Sequence, residues 1–179
     1  MANYEALPTA TSPAEARRQL AGPAEHVLLL GEGGAPSALL TADLLDRPDR
    51  PPIVMIPEGM SARDFAASPG VTLLDLSDDI PGIVVLHGDR PVGVMPIAVV
   101  LEAIAREATE PGPTTMGPNG NASDGTLAGD VGLPRALARC HAPGCGLLNE
   151  LLFYDRAAPP WCRNANPPAH RLVLAPRTA

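Results

Sequence analysis

The sequence predicts an α+β chain: two strand–turn–strand–helix units in tandem, then a small cysteine-bearing unit. Three observations carry that expectation. The stretch from Pro81 to Ile97 reads as an apolar strand, a tight Gly-Asp turn and a second apolar strand, running on into an amphipathic helix to about residue 108. A looser copy of that pattern lies earlier in the chain. All three cysteines, two of the four histidines and the single tryptophan fall beyond a Pro/Gly-rich interval that follows the second copy.

In chain order, residues 1–10 show no periodicity and are expected to form a flexible N-terminus. Ser12-Pro13-Ala14-Glu15 is a helix start, with Ser12 as N-cap, Pro13 at the first helical position and Glu15 closing a capping box; Gly22-Pro23 ends the helix. His26–Leu30 is an apolar strand, Gly31–Gly34 a turn and Ser37–Leu40 the returning strand, after which Thr41-Ala42-Asp43 opens a helix through Leu44, Leu45 and Asp46. The proline-rich run Arg47–Pro52 interrupts the chain. Ile53–Ile56 is a short strand, Ser61–Asp64 a second capping start for a helix through Phe65, and Val71–Leu76 either a strand or an irregular apolar turn. Asp78 and Asp79 are turn residues before Pro81, and His26 and His87 are expected to be ordinary exposed residues. In the helix after Pro96, residues Ile97, Val100, Leu101 and Ile104 share one face by their spacing.

The copies align in detail. Val27–Leu30 matches Ile83–Leu86 at an offset of 56 residues, and Pro36 matches Pro91 at 55, with Leu39-Leu40 opposite Val94-Met95. Tandem duplication is the simplest account. The next interval, rich in Pro, Gly, Asn and Ser, cannot bury a core and reads as a linker. The expected organisation is a flexible 1–10, a paired unit over 11–108, a linker over 109–134 and a tail unit over 135–179.

Composition narrows the function. Apolar residues make up 45% of the 179 residues, enough for a core, but aromatics are only 3%, so Leu, Val, Ile and Ala must fill it. Every basic side chain is arginine, a mark of high-GC coding that suits a bacterial source. The net charge of −7 disfavours nonspecific nucleic-acid binding. No apolar run approaches the roughly twenty residues of a membrane span, and the N-terminus lacks a signal-peptide pattern, so a cytoplasmic protein without a membrane role is expected. There, three cysteines point to thiols or metal ligands rather than disulfides.

The run Ile83-Val-Val-Leu-His-Gly-Asp-Arg-Pro-Val-Gly-Val-Met95, with the looser Val27-Leu-Leu-Leu30 and Ala35-Pro-Ser-Ala-Leu-Leu-Thr-Ala-Asp-Leu44, resembles the tandem CBS-domain (Bateman) module over roughly residues 10–108. The resemblance implies paired β-β-α units in two layers, self-association into a homodimer, and an adenosyl ligand held between units by a Thr or Ser and an Asp after the second strand. Thr41 and Asp43 are the positions that match, one residue closer together than the family's usual spacing. In the second copy Pro96-Ile-Ala-Val99 offers neither a hydroxyl nor a carboxylate. The local alternative is that Thr41 or Asp43 caps the following helix.

The tail carries metal chemistry. Cys140 and Cys145 flank a Pro-Gly turn, sixteen residues separate Cys145 from Cys162, and seven more precede His170. Two ligand pairs separated by a hairpin resemble a zinc ribbon in Cys3His form. About 40 residues have little core of their own, so a structural zinc ion would supply stability. His141 is the rival fourth ligand, disfavoured because it adjoins Cys140. Arg139, Arg163 and Arg171 sit beside ligands and would offset the site's negative charge. Glu150 and Asp155 read as solvated hairpin residues, and a cysteine nucleophile paired with His141 or His170 lacks a third orienting group.

The resulting expectation is a non-enzymatic accessory or regulatory binding module that contacts another protein. One alternative is an adenine-nucleotide sensor using Thr41 and Asp43. Another is nucleic-acid binding through the tail.

Overall fold

Most strands follow from continuous apolar runs, and eight are formed among the described residues of a computed structural model, which are 1–47, 49–109, 132–164 and 168–175. The first unit contains β1 (Tyr4–Pro8), α1 (Pro13–Leu20), β2 (His26–Leu30) and β3 (Pro36–Leu40). The second contains β4 (Ile53–Pro57), α2 (Ala62–Ala67), β5 (Gly82–His87), β6 (Arg90–Pro96) and α3 (Ile97–Thr109). The tail adds β7 (Arg135–Arg139) and β8 (Leu148–Leu151). The expected α+β class is the one observed.

The two units repeat one another strand for strand. β1 runs parallel to β2, and β2 pairs antiparallel with β3; β4 runs parallel to β5, and β5 pairs antiparallel with β6. In the hairpins Val27 lies opposite Leu40 and Ile83 opposite Met95. Each ladder then slips at the same step, between Leu29 and Leu30 and between Val85 and Leu86, so that Leu30 faces Pro36 and Leu86 faces Pro91. Any two apolar hairpins share a pattern of side chains. A bulge at the equivalent step is a tighter criterion, because it places an unpaired residue at one position of each ladder.

Several elements differ from the sequence expectation. Residues 4–8 are not frayed but form β1, held in register along the edge of a three-stranded sheet ordered β1-β2-β3. The strand was illegible because only Tyr4 and Leu7 pack inward, and even they are half-buried. The helix expected after β3 is a single 3-10 turn, Ala42–Leu44. Only six residues separate Thr41 from Pro48, too few for two turns before a proline forbids continuation. Residues Pro69–Leu76 form a 3-10 helix rather than a strand.

The five-stranded sheet, ordered β6-β5-β4-β7-β8, corrects the expectation of a tail standing apart. β7 pairs antiparallel with β4 through Ile53–Leu137, Val54–Ala136 and Met55–Arg135. The tail therefore shares both the sheet and the core of the second unit. The segment read as a linker lies, from 110 to 131, outside the described residues.

Three layers of apolar packing hold the molecule. α1 covers the outer face of the first sheet through Ala16, above Val27, Leu29 and Ala38. The inner face meets the second sheet through Leu28 and Leu39 against Ile53, Met55, Val84, Leu86 and Val94. On the opposite face of the second sheet lie Phe65 of α2, Val100 of α3, Leu73, and, from the tail, Tyr154, Cys162 and Leu172. Burial raises the Tyr154 hydroxyl's pKa, with Arg156 opposing. Along α3, Val100 is buried and Ile97 and Ile104 pack against the core, but Leu101, read onto that face, is 54% exposed.

His26 is the other departure. It is buried, its Nε2 lies 3.4 Å from the Pro81 carbonyl oxygen, and its Nδ1 has no partner. Its place opening a fully buried strand, next to Val27, draws the ring in.

The helix starts follow the caps. Ser12 accepts from the Glu15 N–H, and Ser61 and Asp64 form a reciprocal capping box. The Ser61 hydroxyl and N–H both donate to the Asp64 carboxylate and hold its pKa below the ordinary range. That contribution is complete above the unfolded carboxylate value and is lost as pH falls through the lowered one. Replacing Ser61 by Ala should cost about 1 kcal/mol in urea unfolding at neutral pH. The difference should shrink in acid; an unchanged midpoint at neutral pH would dismiss the cap.

Candidate metal centre

The tail presents four donors from three short segments. Cys140 follows β7, and its backbone fixes a tight loop: the Cys140 N–H donates to the Leu147 carbonyl (2.8 Å), while the Gly146 N–H donates back to the Cys140 carbonyl (3.1 Å). Gly144 and Gly146 have φ of 73° and 66°, a left-handed conformation that lets the chain reverse and bring Cys145 beside Cys140. The other two donors come from a second pair of paired segments. The Cys162 N–H donates to the His170 carbonyl (2.9 Å) and the Leu172 N–H to that of Pro160 (2.8 Å). The two halves are tied by the His141 N–H donating to the Val173 carbonyl (2.8 Å).

The result is a cluster of Cys140, Cys145, Cys162 and His170 whose ligand atoms all lie within 4.8 Å of one another. Cys145 Sγ is 3.6 Å from Cys162 Sγ, and Cys140 Sγ is 3.4 Å from His170 Nε2. Zinc–thiolate bonds of about 2.3 Å and zinc–imidazole bonds of about 2.0 Å place tetrahedral donors roughly 3.5–3.8 Å apart. The two close pairs match that spacing. All three cysteines are free, and 3.6 Å is far beyond the roughly 2.05 Å of a disulfide. The donors present therefore fit a tetrahedral ion of the zinc type.

The surroundings suit thiolates. Burial pushes the Cys162 thiol up, but the Asn164 backbone N–H, the Asn149 amide and the neighbouring thiols donate to its sulfur and bring it down to about 7. His170 Nδ1 donates to the Pro168 carbonyl (3.1 Å), which leaves Nε2 facing the cysteines. That carbonyl, with Cys145, also raises the imidazole's pKa, so a bound cation would take the place of the proton on Nε2.

Two residues that touch the cluster escaped the sequence reading. Asn149 is buried, donates to Cys162 Sγ (3.5 Å), and accepts the Arg163 N–H (2.8 Å). Asn164 donates to Cys145 Sγ (3.6 Å). The available signal was a lone amide within Leu147-Leu-Asn-Glu-Leu-Leu152, on the inward face of β8. Two of the three arginines also make local contacts. Arg139 donates to the Gly146 carbonyl, and Arg171 lies 4.4 Å from the Trp161 ring centroid and donates to the Pro159 carbonyl; they brace the loops.

The remaining candidates lie elsewhere. His141 points away from the cluster, its Nδ1 3.6 Å from Asp49 Oδ1, which favours His170 as fourth ligand. Thr41 donates to Asp43 Oδ1 (2.6 Å), so neither side chain caps the 3-10 turn beside it. Neither lines the cavity beside Arg50 and Arg139 or the one beside Met55 and Arg135. Glu150 is half-buried beside Arg135 (3.3 Å), Asp155 is exposed, and His87 pairs with Glu58 (2.6 Å) on the surface. Asp79 pairs with Arg47 (2.6 Å).

No protein-family model matches the chain, and no curated protein matches it. Among solved structures, Staphylococcus aureus OpuCA is similar at 9% identity and TM-score 0.41, covering 59% of this chain and 96% of its own. A CBS domain-containing protein of unknown function from Kribbella flavida is similar at 12% identity and TM-score 0.42, covering 59% of this chain and 92% of its own.

Proposed function

We propose that the chain is a non-enzymatic accessory or regulatory binding module: a CBS-like pair of units whose C-terminal segment is fastened by one structural zinc ion. The single observation that carries this reading is the convergence of Cys140, Cys145, Cys162 and His170. Four protein donors saturate tetrahedral zinc and leave no position for the water or substrate that a catalytic ion needs. The duplicated strand registers support the paired-unit half of the reading. Partner binding suits the exposed Leu152, Phe153 and Trp161 of the tail, large apolar groups that a second protein would cover. The adenine-nucleotide alternative is not favoured, because Thr41 and Asp43 are spent on each other.

The test is elemental analysis of the purified chain, together with titration of the released thiols. About one zinc per chain is expected, with all three thiols protected until a chelator is added. A folded chain that carries no metal and has three freely reactive thiols would overturn the reading.

A further inference from the structure

The metal-bearing segment also builds one wall of a cavity of about 260 Å³. Arg139 and His141 on that wall flank Cys140, and Leu174 and Ala175 follow His170 by four and five residues. The facing wall comes from the connection between the two units, through Arg47 and Asp49 to Pro52, and from the turn at Leu76–Asp79. The hydrogen bond from the His141 N–H to the Val173 carbonyl joins the two tail segments of the outer wall.

The charges on the walls are of both signs. Arg47 and Asp79 neutralise each other at 2.6 Å. Arg50 makes no ion pair among the described residues, and Arg139 spends one N–H on the Gly146 carbonyl. Asp49 lies 3.6 Å from His141, beyond a good hydrogen bond, and so keeps its acceptor capacity. Leu76, Leu174, Pro51 and Pro52 supply apolar surface between these groups. A ligand that satisfies both halves carries an anion for Arg50 and Arg139, a cation for Asp49 and an apolar body.

Size narrows the class further. The cavity falls just below the roughly 300–1,000 Å³ of ordinary small-molecule sites, which suits a compact ligand. A whole nucleotide calls for a larger site than this. We infer that the cavity is a binding site for a small apolar zwitterion, an α-amino acid with an aliphatic side chain, and that the metal ion holds its outer wall in place. The second half of this inference rests on the zinc reading above. By linkage, anything that stabilises the closed wall tightens the ligand, and the ligand in turn slows loss of the metal.

Calorimetry on the full zinc-loaded chain tests it with leucine, with 4-methylpentanoate, which lacks the ammonium group, and with isopentylamine, which lacks the carboxylate. Leucine is expected to bind with Kd at or below about 1 mM, and each analogue about tenfold more weakly or worse. Arg50→Ala and Asp49→Asn should each weaken leucine by about tenfold, while zinc content, measured separately, stays at one per chain. Chelation should abolish leucine binding. Absence of binding by leucine, valine and methionine to a chain that holds its zinc overturns the amino-acid site and leaves the metal reading standing. Equal binding of 4-methylpentanoate, or binding of inorganic phosphate or AMP instead, overturns the zwitterion. Undiminished leucine binding after chelation overturns the coupling. A chain that never held zinc defeats the metal reading itself.

Discussion

Cys145→Ser is expected to empty the metal site and unfasten residues 140–175. Losing a partner group outside the ligand shell already costs about 10–100-fold in metal affinity, so losing a ligand exceeds that. The consequences follow from what the ion joins. Cys140 and Cys145 belong to the loop after β7, and Cys162 and His170 to the segment beyond β8. Without the ion these are linked by a few backbone hydrogen bonds, and Cys162 and Leu172 leave the core. Hydrogen exchange should show lost protection at the amides of His141, Cys162 and Leu172, with β5 and β6 unaffected, and zinc content should fall to near zero. Acidification should do the same reversibly. Three thiols and an imidazole must be deprotonated to bind, and the hydrogen bonds to Cys162 bring its thiol down to about 7, so zinc affinity drops as pH falls through that value. Native protection of those three amides in the metal-free variant would sink the structural role.

The largest effect away from the tail is expected from Phe65→Ala. Phe65 is one of two phenylalanines in the chain and is fully buried beneath α2, at the junction of the second sheet with α3. The buried residues around it are mostly aliphatic, with Tyr154 the other aromatic of that cluster. Truncation should therefore cost about 3–5 kcal/mol, or a fall in Tm of about 6–20 °C for a chain of this size. Urea unfolding and calorimetry would measure it. A loss below about 1 kcal/mol would mean that α2 packs less closely than its burial indicates.

What could be read in the sequence was whatever is local and periodic. The hairpins and their repeat were legible because continuous apolar runs end at glycine and proline, and the matched Pro36 and Pro91 mark the same step after the bulge. The grouping of Cys140, Cys145, Cys162 and His170 was legible because thiols in a core-poor segment have few other uses. Pairing across long separations was not. β1 shows half-buried residues at only two positions, and β7, Arg-Ala-Leu-Ala-Arg, carries its buried alanines without the large side chains that announce a strand. Burial of His26 and Asn149 depends on neighbours far along the chain: Pro81 for the first, Cys162 and Arg163 for the second. Thr41 and Asp43 were legible as a polar pair but not as partners of each other.

The position of β7 bears on how the chain is made. β4 is fully buried along Ile53–Ile56, with β5 on one side and β7 on the other, and roughly 80 residues separate it from β7. During vectorial synthesis the first two units emerge well before β7, so β4 spends that interval as a bare hydrophobic edge. Such an edge is a template for another strand, including the same strand of a second nascent chain. The C-terminal hairpin is thus the seal on a strand that would otherwise seek a partner elsewhere.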